Sequence, residues 1–335
     1  MSASARPVLV TGAGGFLGGY VVRELRAHGI PVLASGRTAE TLARVAAPEE
    51  TLVSSLAGLP GAVRPVDAIV HCAALSSPWG RRSDFAAANV EGTAAAVSFA
   101  EKSGARRFVF VSSPSVYAAA RDRIGIREDE VDPGNRLNDY IRSKLAAEEL
   151  LREAQRAGRI HELVIVRPRG LIGAGDPSLV PRLIAVHRRI GVPLFDDGRN
   201  LIDVTAVENA ASALRLALRA GDPAGGVYNI SNGDPRPFRE LLEGLLSRLG
   251  ETPRFRRLSR RGAWTLAASL EGICRALPGR PEPPLTRYTL STIAYAQTLD
   301  ISRARSELGY APVVSLDEAL DRAVADLRAR AERGA

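Results

Sequence analysis

Near its start this chain passes from a short apolar run, Val8-Leu9-Val10, straight into Gly12-Ala13-Gly14-Gly15-Phe16-Leu17-Gly18. A helical pattern follows from about Phe16 to Ala27 and stops at Gly29. The same unit recurs. Apolar runs at Val32–Ser35, Asp67–Ala73, Arg107–Ser112 and Glu162–Arg167, with a weaker one near Thr51–Val53, alternate with helical patterns. The two long helical patterns cover Arg82–Ser103 and Leu137–Ala157. The strand-like runs are continuously apolar, which marks strands buried on both faces, and helix-for-strand alternation then requires a parallel sheet. The expected fold is α/β, a doubly wound parallel sheet with a nucleotide crevice at the carboxyl ends of its strands.

After Pro168 the rhythm breaks into longer loops, an amphipathic helix at Val207–Ala220, a strand at Val227–Ser231 and further helices. The expected division is a dinucleotide-binding domain over residues 1–170 and a smaller, mainly substrate-binding lobe over 171–335. Segments of that second half are expected to return to the sheet. There is no internal repeat.

Six residues precede the strand-like run that opens at Pro7, so no signal peptide is expected, and no apolar stretch of about 18 residues or more is present. Cys72 and Cys274, the only cysteines, lie far apart in sequence. Reduced thiols in a cytoplasmic protein are the expectation, and no metal site is expected. The net charge of +8 raises the question of nucleic acid. The basic residues are nearly all arginine and are spread along the chain. The one dense cluster, Arg254 to Arg261, contains a single aromatic, so no nucleic-acid partner is expected.

Gly12-x-x-Gly15-x-x-Gly18 stands where a dinucleotide loop must stand, between first strand and first helix. One glycine serves the tight turn, one the approach of backbone to pyrophosphate, and one close helix–strand packing. The helix start offers free N–H groups to phosphate. At the end of the second strand, Ser35-Gly36-Arg37-Thr38 has no carboxylate to hold a ribose, and Arg37 suits a 2′-phosphate. NADP is the expected cofactor, with NAD the alternative.

Tyr140 and Lys144 lie one helical turn apart on one face. With seven tyrosines and two lysines in 335 residues, roughly 0.04 such pairs would arise by chance. A phenol titrates near pH ~10 and needs a neighbouring cation to exchange protons at neutral pH. Ser112-Ser113-Pro114-Ser115 brings hydroxyls to the end of a central strand, where a serine can hydrogen-bond a carbonyl or alkoxide oxygen.

In combination these features resemble the extended short-chain dehydrogenase/reductase superfamily, the NAD-dependent epimerase/dehydratase group. The matching segments are Thr11–Gly18, HCAAL at His71–Leu75, NVEGT at Asn89–Thr93, VSSPSVY at Val111–Tyr117, YIRSK at Tyr140–Lys144 and VRP at Val166–Pro168. The resemblance continues through Asp196–Ala211, Val227–Gly233 and Leu308–Pro312. It implies that Tyr140 is the catalytic acid/base. Lys144 would lower its pKa and bind the nicotinamide ribose, Ser113 would polarise the reacting oxygen, and Asn89 would support the site. It also carries cofactor contacts onto Gly12, Gly15, Phe16, Leu17, Gly18, Ala73, Ala74 and Pro168. A homodimer is an expectation from the resemblance alone. One departure is Ser54-Ser55-Leu56, where the family usually carries an aspartate that touches adenine.

Pro114 and Ser115 stand where family dehydratases place Asp and Glu, which disfavours dehydration. Arg167-Pro168-Arg169-Gly170 lacks the asparagine that nucleotide-sugar epimerases tend to carry there. PEPPLTRY at Pro281–Tyr288 resembles the 3β-hydroxysteroid dehydrogenase-like branch, which includes 2-alkyl-3-oxoalkanoate reductases. The implied activity is interconversion of a secondary alcohol and a ketone on a hydrophobic substrate. Nucleotide-sugar epimerisation is the alternative, and a non-catalytic dinucleotide sensor is a more distant one. The apolar helix at Ala263–Leu277, with the basic cluster before it, is read as a lid, a peripheral membrane contact through 254–277, or a packed helix of the lobe. Arg169 is read first as a structural arginine at the domain junction and second as the receiver of a substrate carboxylate.

Overall fold

The computed structural model describes residues 6–334. Its central sheet contains β1 (Val8–Thr11), β2 (Val32–Gly36), β3 (Thr51–Val53), β4 (Ala68–His71) and β5 (Arg107–Val111). Two further strands, Glu162–Pro168 and Ala224–Ile230, complete it. The order across the sheet runs 224–230, 162–168, β5, β4, β1, β2, β3, and every pairing is parallel. The chain reverses its direction of travel between β1 and β4, so a crevice opens over their carboxyl ends. The edge strand Ala224–Ile230 comes from the second half of the chain.

Period-2 alternation distributes each strand between two cores. Val8 and Val10 join Val21, Val22 and Leu25 of α1 (Phe16–Ala27) and Leu214 beneath one face. Leu9 joins Ile69, Phe99, Phe108 and Leu151 beneath the other. Each such aliphatic side chain, buried completely, contributes about 1.5–3 kcal/mol.

Two expected elements differ in form. The long helix Arg82–Ser103 forms, but the six residues Ala86–Glu91 take a π-helical turn within it. The β4 strand ends at His71 instead of continuing to Ala73. Side chains take over the backbone groups beyond it: Ala73 N donates to Thr11 Oγ1 (3.2 Å) and Leu75 N to Asn89 Oδ1 (2.7 Å).

The rest of the second half builds two two-stranded sheets and three strands of a four-stranded sheet, whose fourth strand, Arg123–Ile126, comes from the first half. The helix Arg260–Ala276 buries Ala263, Ala267, Glu271 and Cys274 and leaves Leu266 and Ile273 more than half exposed. Among the described residues no helix is long and apolar enough to cross a membrane.

Candidate active site

The glycine loop closes tightly on itself and on the end of β4. Gly12 has φ +67°, in the region that favours glycine, and a Cβ there would lie 2.9 Å from the Ala73 backbone. A Cβ on Gly18 would lie 2.1 Å from the Gly12 carbonyl oxygen. The start of α1 has no side-chain cap and no acidic residue in its first turn. Its N–H groups and partial positive charge therefore remain available to an anion. Glycines at closest approach and an uncompensated helix start fit a dinucleotide pyrophosphate. Phe16 and Leu17 form that first turn, Ala73 and Ala74 follow β4 across the crevice, and Pro168 ends its strand as a buried residue.

Arg37 follows β2 and is exposed. The nearest carboxylate along the chain, Glu40, is engaged by Arg44 at 3.0 Å.

The Tyr140 helix (Asp139–Arg156) begins at Asn138, whose Oδ1 accepts from Ile141 N at 2.8 Å. This cap sets Tyr140 in the first turn and Lys144 one turn later, 7% and 3% exposed respectively. Lys144 Nζ donates to the Val111 carbonyl at the end of β5 (2.9 Å) and lies 4.8 Å from the Phe110 ring centroid. Burial pulls the ammonium down to about 8, while the charge of Glu148 opposes the fall. Burial also raises the Tyr140 phenol above its usual value, opposed by the neighbouring hydroxyls of Ser113 and Ser76. The sequence-based expectation was a phenol lowered by Lys144. In the structure desolvation dominates, and the ammonium is directed to a carbonyl and an aromatic face. Ser113 caps a short turn, Pro114–Tyr117, by accepting from Ser115 N (3.2 Å).

Asn89 does not face the phenol. Its Nδ2 donates to the Leu75 carbonyl (3.0 Å) and to Ser143 Oγ (2.8 Å), while its Oδ1 accepts from Leu75 N. It thus ties the loop after β4 to the Tyr140 helix and supports the site through other residues. His71 bridges Thr11 Oγ1 (2.7 Å) and Thr93 Oγ1 (3.2 Å), and burial then Lys144 hold it near 3, hence neutral. Burial pushes the Cys72 thiol up to about 12, so it is no nucleophile at neutral pH.

Several participants escaped the sequence reading. Glu148, one turn beyond Lys144, forms a buried pair with Arg167 (2.6 and 2.9 Å) and accepts from Ser112 Oγ (2.5 Å). Arg167 also reaches the Tyr117 hydroxyl (2.5 Å) and the Glu128 carbonyl (3.0 Å). Ser76 is set beside the phenol by the loop after β4. Tyr288, half-buried beside Tyr140, Arg169 and Ser115, comes from far along the chain, so no local spacing reveals its place at the site. A groove of about 670 Å³ runs beside the site, not over Tyr140, between Val116–Arg121, Glu130–Leu137 and Trp264.

The model of the NAD dependent epimerase/dehydratase family matches residues 8–231. The chain belongs to that family. It is an NAD(P)-binding oxidoreductase with the family's Rossmann sheet. The YbjS protein of Escherichia coli (strain K12) is 37% identical over 334 residues, covering 96% of this chain and 97% of that protein. A 2-alkyl-3-oxoalkanoate reductase of Stenotrophomonas maltophilia (strain K279a) is 35% identical over 331 residues, covering 94% and 97%. The solved structure of MoeE5 in complex with UDP-glucuronic acid and NAD matches with a TM-score of 0.73 at 25% identity. It covers 97% of this chain and 99% of that one.

Proposed function

We propose that this family member reduces a ketone to a secondary alcohol on a hydrophobic, 3-oxo-acid-like or 3-hydroxysteroid-like substrate, and that it prefers NADP. The observation that carries the reading is a buried Tyr140 phenol between Ser113 and Ser76, one turn from a buried Lys144. With its pKa raised by burial, the phenol is protonated at neutral pH, the form that a reduction consumes. The similarity to a 2-alkyl-3-oxoalkanoate reductase supports the same direction and substrate class.

The residues divide the work as follows. Gly12, Gly15 and Gly18 with the first turn of α1 would hold the pyrophosphate, and Arg37 would pair with a 2′-phosphate. Ala73, Ala74 and Pro168 would line the crevice around the rest of the dinucleotide. When bound, the nicotinamide supplies hydride. Ser113 donates a hydrogen bond to the substrate carbonyl oxygen. Tyr140 gives that oxygen its phenolic proton as the carbon is reduced, so oxygen and carbon together gain one proton and one hydride. Lys144 stabilises the tyrosinate that remains and is itself fixed by the Val111 carbonyl. The groove is lined by charged side chains, Arg121, Arg123, Glu130 and Asp132, as well as by Ala119, Leu137 and Trp264, whose apolar surface would take a substrate chain.

The test is NADPH oxidation with 2-alkyl-3-oxo acids and with neutral ketones, repeated for Tyr140→Phe. Turnover is expected to fall by at least about a thousandfold with NADPH affinity nearly intact. Parent-like turnover in that variant removes Tyr140 from the mechanism. A tightly held NAD that co-purifies and is released only on denaturation would favour epimerisation instead.

A further inference from the structure

Arg169 follows the strand Glu162–Pro168 and is 7% exposed. Its backbone N–H is taken by the Ile230 carbonyl (2.8 Å). Among the described residues its guanidinium has no hydrogen bond and no ion pair; the titratable groups that act on it are Tyr288 and Asp203. This contrasts with Arg167 two residues earlier, whose fork is saturated by Glu148, Tyr117 and Glu128. An arginine stays charged at any relevant pH, and a buried charge without a partner costs several kcal/mol. Asp203 does not resolve the imbalance. One of its oxygens accepts from Leu299 N (2.7 Å), the other has no partner, and burial raises its pKa towards the neutral acid.

Two more unspent donors converge on the same place. Tyr288 is half-buried beside both Arg169 and Tyr140, and desolvation holds it up at about 12, so it keeps its proton. The Ser115 hydroxyl lies close enough to Tyr288 to affect it, yet completes no hydrogen bond of ordinary geometry. Tyr288 is fixed from behind: buried Glu271 accepts from Arg287 N (2.7 Å), Nε (3.0 Å) and Nη2 (2.8 Å).

We infer that Arg169, Tyr288 and Ser115 form an anion receptor beside Tyr140 that takes the carboxylate of the ketone substrate. The inference rests on the ketone reading above and deepens it. In a 3-oxo acid a single carbon separates keto and carboxyl carbons, so one molecule can reach Tyr140 and Ser113 with its keto oxygen and Arg169 with its carboxylate. Acids with the two groups far apart cannot use both. The fork of Arg169 suits bidentate carboxylate recognition, and each neutral donor adds a charge-assisted hydrogen bond.

The experiment compares a freshly hydrolysed 2-alkyl-3-oxo acid with its methyl ester in NADPH-dependent turnover. It also measures binding of decanoate, which has no ketone, by calorimetry. The parent is expected to favour acid over ester by at least about tenfold in kcat/KM and to bind decanoate. Arg169→Met is expected to collapse that preference to near unity, to lose decanoate binding, and to melt no lower than the parent. Tyr288→Phe, which removes one donor only, is expected to lose several-fold of the preference. An intact preference in both variants overturns the receptor, as does a parent that does not distinguish acid from ester. An Arg169→Met chain that fails to fold, beside a Tyr288→Phe variant of full preference, also overturns it and makes Arg169 structural. The two readings fail separately. Arg169-dependent decanoate binding without turnover of any ketone keeps the receptor and removes the ketone reading; turnover indifferent to Arg169 does the reverse.

Discussion

Replacing Lys144 by methionine is expected to destroy activity and raise stability together. In the folded chain the ammonium is pulled by burial from its usual 10.5 to about 8. Each unit corresponds to roughly 1.4 kcal/mol, so holding the charged form in place costs about 3 kcal/mol at neutral pH. Methionine fills a similar volume without that charge. It gives up the hydrogen bond to the Val111 carbonyl, a loss of roughly 1 kcal/mol. A net gain of about 2 kcal/mol should appear as a rise of a few degrees in melting temperature.

The pH dependence supplies the sharper check. Below about pH 8 folded and unfolded chains both carry the proton, and the whole cost is present. Between about 8 and 10.5 the unfolded chain holds more protons than the folded one, so the parent gains stability as pH rises. The variant has no such gain. Its advantage in melting temperature should therefore be greatest near pH 7 and shrink across that window. Scanning calorimetry at pH 7, 8.5 and 10 measures it. An Lys144→Met protein that melts below the parent at pH 7, or an advantage that is flat with pH, would refute the claim that desolvation governs this lysine.

Four other outcomes follow from the same geometry. Arg37→Ala should weaken NADPH binding about tenfold or more and leave NADH nearly unchanged, as read by nicotinamide fluorescence. Gly18→Ala places a methyl 2.1 Å from the Gly12 carbonyl oxygen, so it should distort the loop, abolish dinucleotide binding and lower the melting temperature. Asn89→Ala strands the Leu75 N–H and carbonyl and removes a donor from the Ser143 hydroxyl, which keeps its bond to the Tyr140 carbonyl; a loss of about 2 kcal/mol is expected in denaturant titration, with kcat reduced. The exposed Leu266, Ile273 and Leu277 stand among Arg257, Arg261 and Arg275. Co-sedimentation with anionic vesicles that weakens with salt and is lost in Leu266→Ser/Ile273→Ser is the outcome expected if this face rests on a membrane.

Legibility followed the range of the interactions. The sheet could be read because each of its central strands is a continuous apolar run and each glycine of the loop answers to a local backbone demand. The Tyr140–Lys144 pair could be read because helical spacing alone sets two side chains on one face. The π turn at Ala86–Glu91 gave no such signal, and the Asn89 within it is bonded to residues 14 and 54 positions away, beyond any local pattern. Ser76 was invisible for the same reason, and Tyr288, though part of the segment PEPPLTRY, gave no sign that it would stand beside Tyr140. The direction of the Tyr140 shift was missed because a spacing rule counts the neighbouring cation and cannot count the water removed around both groups.

That removal of water ties the parts of the site together. His71 and Cys72 lie within electrostatic reach of Lys144, and both are neutral at pH 7, so neither adds a compensating anion nor a competing cation. Glu148 is the nearby carboxylate, and Arg167 already matches it through two hydrogen bonds, which leaves little of its charge for the lysine. Lys144 is therefore a buried cation only half balanced by its surroundings, and a tyrosinate one turn away is the anion that would balance it. In the proposed reduction, proton transfer from Tyr140 would create that anion. On that proposal, the arrangement that destabilises the resting protein would lower the energy of the state in which the phenol has given up its proton, and a better-paired lysine would make a more stable and poorer enzyme.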